Sequence, residues 1–310
     1  MAPFALEVTR FGFSLAGLLS PGFSGRLAFS LFCRTPPRRP KDGKAASALA
    51  SGAEQLAGAE RIVLPISRGT VAVRRLGAAS TAAPRVLLVH GWGSRAEYLA
   101  RLATELHRAG AEVVLVDLPG HGHSTGRQLN LRLAAEAICA VQERLGFFDV
   151  AIGHSFGGAA VMTAIGGVFP GVCRFEPGRV VLLAAPSNIH WVIDGFCGML
   201  KLRPSVRRSM VKRAEAVAGC PVDALDTVPI AARIGRDVLV LHAQEDKEVH
   251  AEHARRLESA GAHVTVRWAN GFGHRRIVAA PDVTAEIVSF VFDDGREIAD
   301  EPALRLSSSC

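Results

Sequence analysis

From residue 86 onward, short runs rich in β-branched residues and leucine alternate with longer stretches of helical character, and this alternation constrains the fold most. The runs are residues 86–89, 113–116, 149–152, 180–183 and 238–241. They have the uniform apolarity of strands buried on both faces. Helical stretches lie between them at 96–109, 131–145 and 157–169. The pattern predicts an α/β fold, a mostly parallel central sheet with helices on both faces. Residues 61–65 and 70–76, flanking Ser67-Arg68-Gly69, predict an antiparallel hairpin at its start.

The strand-like run 149–152 enters Gly153-His154-Ser155-Phe156-Gly157, and a small-residue helical stretch follows. A serine at a sharp strand-to-helix turn has a strained backbone, and glycines two positions either side remove the β-carbons that would collide there. Ser155 is then a nucleophile whose hydroxyl stands clear of the sheet, at a helix N-terminus whose free N–H groups face an oxyanion. The alternative is a glycine-lined turn in which Ser155 only caps a helix. Asp246 and His274 follow, each just beyond a strand-like segment, and serine, acid, histidine is a hydrolase order. Upstream, run 86–89 opens into His90-Gly91-Trp92-Gly93-Ser94. That turn can offer the Trp92 N–H beside the Phe156 N–H as a two-donor oxyanion hole.

These peptides, with Asp117-Leu118-Pro119-Gly120-His121-Gly122-His123-Ser124, His242-Ala243-Gln244-Glu245-Asp246 and Gly271-Phe272-Gly273-His274, resemble the α/β-hydrolase fold family in its serine-nucleophile, esterase- and lipase-like branch. The resemblance covers about residues 60–292 and implies an order of roles. Asp246 would orient His274 and stabilise its imidazolium, Asp117 would hold its own loop, and Glu245 would point elsewhere. Around the substrate the expected residues are His90, Gly91, His154, Trp191 and Phe196, with His90 read as a hydrogen-bonder of its loop rather than a base. A serine at 155 disfavours the epoxide hydrolase and dehalogenase chemistries, which use an aspartate nucleophile.

The implied reaction is hydrolysis of a carboxylic ester through an acyl-enzyme, with no cofactor. Thioester cleavage or acyl transfer would use the same three residues, and a non-catalytic binding or membrane-associated scaffold is the reading from another class. Residues 187–232 exceed what one crossover helix needs and predict a small helical lid. There Val206, Met210, Ala214 and Val217 recur at helical spacing opposite Arg207, Arg208, Lys212 and Arg213.

Residues 1–60 read as a helical leader broken near Pro21-Gly22, then a Pro- and Arg-rich linker and an Ala-rich stretch that is a helix or a loose linker. The leader either packs on its own domain or touches a membrane surface. No apolar run is long enough to span a bilayer and no secretory signal is evident, so a cytoplasmic protein is expected. The net charge of +7 is diffuse and Tyr98 is the sole tyrosine, which gives nucleic-acid binding little support. The six cysteines show no Cys-x-x-Cys pair and read mostly as reduced packing residues. His121-Gly-His123 has a spacing zinc can use but no evident third ligand, so no metal is expected. Residues 293–310 read as a disordered tail.

Overall fold

The computed structural model describes residues 3–40 and 42–293. The leader forms α1 (Pro3–Leu19) and α2 (Pro21–Phe32), and the Ala-rich stretch forms α3 (Gly43–Gln55). The hairpin of β1 (Glu60–Ile66) and β2 (Gly69–Leu76) follows, paired antiparallel in register from Glu60–Arg75 to Ile66–Gly69. The alternating part runs β3 (Arg85–Val89), α4 (Ala100–Arg108), β4 (Glu112–Val116), α5 (Leu131–Leu145), β5 (Val150–His154), α6 (Phe156–Gly166) and β6 (Arg179–Leu183). Then come α7 (Ile189–Met199), α8 (Pro204–Ala218), α9 (Thr227–Ile234), β7 (Val238–His242), α10 (Glu252–Glu258), β8 (Val264–Trp268), α11 (Gly273–Arg276) and α12 (Pro281–Phe292).

Among the described residues one eight-stranded sheet forms, in the order β1-β2-β4-β3-β5-β6-β7-β8, and every neighbour pair from β4 to β8 is parallel. The alternation of side chains decides which face each strand residue serves. Leu87, Val89, Ala151, Leu182 and Val240 pack with α5, α6 and α10 on one face. Val86, Leu88, Ile152, Val181 and Leu241 pack with α4 and α12 on the other. Both sets are buried, which is why the strands read as continuous apolar runs rather than alternating ones.

A third cluster lies away from the sheet. Phe13 of α1 and Ala28 and Phe29 of α2 are buried with Ile193 and Cys197 of α7 and Val206 and Met210 of α8. The α2–α8 crossing is tight because Gly25 has no side chain: a β-carbon there would stand 2.4 Å from Ser209 Cβ and 2.7 Å from the Met210 nitrogen. The leader therefore packs on the insertion. The linker is also tied down, since Thr35 N–H donates to Arg127 O (3.0 Å) and Leu129 N–H to Cys33 O (2.8 Å).

Two expectations change. The insertion is the pair α7–α8, shorter than 187–232, because α9 packs back on α6 with Ile230 against Gly166. Both ends of it are pinned at one place: Arg256 donates to Ser187 Oγ (2.8 Å) and to Asp226 Oδ2 (2.7 Å), and Thr227 N–H donates to Ser187 O (3.0 Å). The second correction concerns the cysteines. Cys139 on α5 and Cys173 after α6 form a disulfide, their Cα atoms 6.0 Å apart. Cys33, Cys197 and Cys220 are free, as expected for packing residues. No helix among the described residues is long and apolar enough to cross a membrane. The expectation for residues 294–310 lies outside the described residues.

Candidate active site

Ser155 sits between β5 and α6 with φ +52° and ψ −123°, a left-handed backbone that a non-glycine residue adopts only when its surroundings impose it. Those surroundings are visible. A β-carbon at Gly157 would stand 2.3 Å from Val89 O, and one at Gly153 would stand 2.5 Å from Gly158 Cα. Gly158, which the sequence argument passed over, is equally confined, because its β-carbon would meet Ala185 Cβ at 2.5 Å. Ser155 N–H donates to Leu183 O (2.8 Å) and fixes the turn to β6.

The three residues expected to act together meet. His274 Nε2 lies 3.0 Å from Ser155 Oγ, and His274 Nδ1 lies 2.8 Å from Asp246 Oδ2. The other carboxylate oxygen, Oδ1, accepts the N–H groups of Glu248 (2.8 Å) and Val249 (2.9 Å). Burial pushes the Asp246 pKa upward, but the hydrogen bond from His274 and those two N–H groups outweigh it and hold the acid below its ordinary value. An ionised Asp246 fixes Nδ1 of His274 as the protonated nitrogen and leaves Nε2 free to accept the serine proton.

Around this chain the expected residues separate. Trp92 and Phe156 stand edge to face with ring centroids 5.7 Å apart. Among the described residues neither backbone N–H has a hydrogen-bond partner, as donors awaiting an oxyanion require. Gly91, Trp92, His154, Trp191 and Phe196 all border the cavity that opens over Ser155.

His90 does not, and its expected place beside the substrate is corrected. The ring is fully buried, with Nδ1 on Gly91 O (2.7 Å) and Nε2 accepting the Leu118 N–H (2.9 Å), so it joins two loops, as its loop-bonding reading held. Burial lowers its pKa, consistent with a neutral ring. His121 is likewise spent, accepting the Gly93 N–H at Nε2 (2.9 Å).

Asp117 holds its loop by accepting the Ala96 and His123 N–H groups, both at 2.8 Å. It converges with Glu97 and His123, but Arg74 and Arg95 already pair with Glu97. Glu245 holds the loop that carries His274, because Oε1 accepts the N–H groups of Gly271 (2.6 Å) and Gly273 (3.2 Å).

The cavity has a volume of about 1170 Å³. Sequence reasoning placed its roof on the insertion alone, yet Phe29, Leu31 and Phe32 of the leader line it beside Ile189, Val192 and Phe196. The one local hint was Gly25, the small residue that lets α2 approach α8.

A family model described as "Alpha/beta hydrolase family" matches residues 86–287. A monoacylglycerol lipase of Mycolicibacterium smegmatis is 30% identical over 174 residues, covering 53% of this chain and 56% of that protein. Protein ABHD12B of Homo sapiens is 22% identical over 222 residues, 67% of this chain and 60% of that protein. The chain thus spans somewhat over half the length of these curated relatives. Among solved structures, carboxylesterase CesB of Bacillus subtilis is similar at a TM-score of 0.56 and 15% identity, over 80% of this chain and 96% of that one. An esterase of Exiguobacterium antarcticum is similar at 0.56 and 16%, over 75% and 99%. The family match over residues 86–287, together with the eight-stranded, mostly parallel sheet, places the chain: this protein belongs to the α/β-hydrolase family.

Proposed function

We propose that this protein is a serine hydrolase of carboxylic esters that works through an acyl-enzyme. The observation that carries the reading is the hydrogen-bonded chain Ser155–His274–Asp246, at 3.0 and 2.8 Å, opening into an apolar-lined cavity.

In this mechanism His274 Nε2 takes the Oγ proton as Ser155 attacks the acyl carbon. The carbonyl oxygen becomes an oxyanion facing the Trp92 and Phe156 N–H groups, and Asp246 stabilises the imidazolium. Collapse expels the alcohol, which receives the proton held on His274, and Ser155 is left acylated. Water then attacks the acyl carbon, gives its proton to Nε2, and the acid leaves as that proton returns to Oγ. Oxyanion donors of this kind contribute about 10²–10³ in rate.

The substrate class follows from the cavity. About 1170 Å³ exceeds the roughly 300–1,000 Å³ of ordinary small-molecule sites, and Phe29, Phe32, Val192 and Phe196 offer an apolar wall for an acyl chain. Likeness to a monoacylglycerol lipase supports a monoacylglycerol as the ester, and α7–α8, whose Ile189, Val192 and Phe196 line the cavity, acts as its lid. The test is the initial rate on p-nitrophenyl esters of increasing chain length, for wild type and Ser155→Ala side by side. Turnover that needs Ser155 and favours longer chains is expected; equal inertness of both proteins across the panel would overturn the reading.

A further inference from the structure

The outward side of α1 is apolar where a helix facing water should be polar. At 100° per residue, Phe4, Val8, Phe11, Leu15, Leu18 and Leu19 fall within an arc of about 100°, and no polar residue interrupts it. All six are exposed, Phe4 and Leu19 by 81% and Phe11 by 72%. The opposite side of the helix is already used: Phe13 is buried in the cluster with α7 and α8, and Gly17 sits against Val206. The apolar side is therefore additional to what folding requires. It continues onto α2 through exposed Phe23 and Leu27.

Charge on and around this face is one-sided. The sole acid in α1 and α2 is Glu7, and it is paired with Arg10. Arg26 lies exposed between Phe23 and Leu27, whereas Arg34 and Arg39, on the linker that follows, line the cavity over Ser155. Among the described residues the Arg26 guanidinium has no ion pair and no side-chain hydrogen bond.

We infer that the outer face of α1 and the first turns of α2 dock on an anionic phospholipid bilayer. Six large apolar side chains enter the acyl boundary while Arg26 meets lipid phosphate, a cation near such a surface adding attraction that salt removes. A second copy of the chain fits less well. In a two-fold packing the face would meet itself and bring the unpaired Arg26 of both copies into one patch with no acid to answer them. Position adds to the argument, because Phe29 and Phe32 on the inner side of α2 line the cavity over Ser155. The helix pair that meets the bilayer is thus also a wall of the substrate cavity.

The docking claim stands apart from the ester-hydrolase reading and is tested without turnover. The full chain is sedimented with phosphatidylcholine vesicles, with and without phosphatidylglycerol, over a salt series. Wild type and Ser155→Ala should both bind the anionic vesicles, and binding should weaken as salt rises. In Phe11→Ser/Leu15→Ser, whose sites are exposed, partitioning should fall about a hundredfold while the thermal unfolding midpoint stays close to that of wild type. Absence of wild-type binding, equal salt-independent binding to neutral vesicles, or undiminished binding by the double variant would each overturn the proposal. So would a soluble dimer that the double variant dissolves and that ignores vesicles. The salt series on wild type decides the matter even if the double variant is poorly folded.

Discussion

His154 Nε2 donates to the main-chain carbonyl oxygen of His274, 2.9 Å away and 120 positions on in sequence. The residue beside the nucleophile thus holds the loop that carries the base, and the two imidazole rings lie 5.1 Å apart. Burial, with the nearby His274 ring adding to it, takes the His154 pKa down to about 4, so the ring is neutral at pH 7 with its proton on Nε2.

His154 is accordingly a positioning residue. Substitution His154→Leu removes the donor and should lower kcat by about 10²-fold, the cost of misplacing a reacting group by about 1 Å, with KM little changed. His154→Gln, which keeps an N–H donor, should recover part of the loss. Steady-state kinetics on a soluble ester read this split; a fall in stability with unchanged kcat would make the contact merely structural.

Asp246 and Glu245 are adjacent acids with different tasks, and substitution separates them. Asp246→Asn should cost about 10⁴ in kcat, because an amide no longer holds the required His274 tautomer. Glu245→Gln keeps an acceptor for the Gly271 and Gly273 N–H groups and should stay within about tenfold of wild type. Reversed rankings in the same assay would move the acid role to Glu245.

Gly25 sets how closely the leader approaches the insertion. In Gly25→Val the added carbons meet Ser209 and the Met210 backbone, so α2 must shift from α8 and take the Phe29–Phe32 wall with it. Activity on long-chain esters should fall by tenfold or more relative to short-chain ones. A chain-length profile identical to wild type would show that the leader takes no part in substrate binding.

Burial drives the pKa of His121, His154 and His253 down to about 4, and lowers those of His90 and His242 too. A histidine whose folded pKa lies below its unfolded value of about 6.5 takes up a proton on unfolding. Stability is therefore complete above about pH 6.5 and falls as pH drops toward 4, by an amount on the order of 2 kcal/mol for each of the first three at pH 5. Asp117 and Asp246, held below the ordinary carboxylate range, extend the loss in the same direction below about pH 4. Urea midpoints should be lower at pH 5 than at pH 7.5, and an equal or higher midpoint at pH 5 would contradict the assignment.

What the sequence made legible is what local chemistry decides. Strands such as β7, buried along its whole length, carry their signature in the sequence. The turn at Ser155 does too, since Gly153 and Gly157 are dictated by contacts a few residues away. The remainder depends on segments far apart in the chain. Nothing near Cys139 or Cys173 announces their bond, and beyond the small Gly25 nothing near Phe29 announces the cavity it lines. His90 was legible as a loop residue but not as one sealed from substrate, because the Leu118 N–H that occupies it comes from another strand end.

The central claim is that Ser155 is the acylated nucleophile, and intact-mass spectrometry with peptide mapping after treatment with an active-site-directed fluorophosphonate tests it most directly. The account predicts a single adduct on Ser155, absent from Ser155→Ala and slowed in Asp246→Asn. A folded wild-type protein that remains unlabelled, or an adduct on another residue that persists in Ser155→Ala, would contradict it.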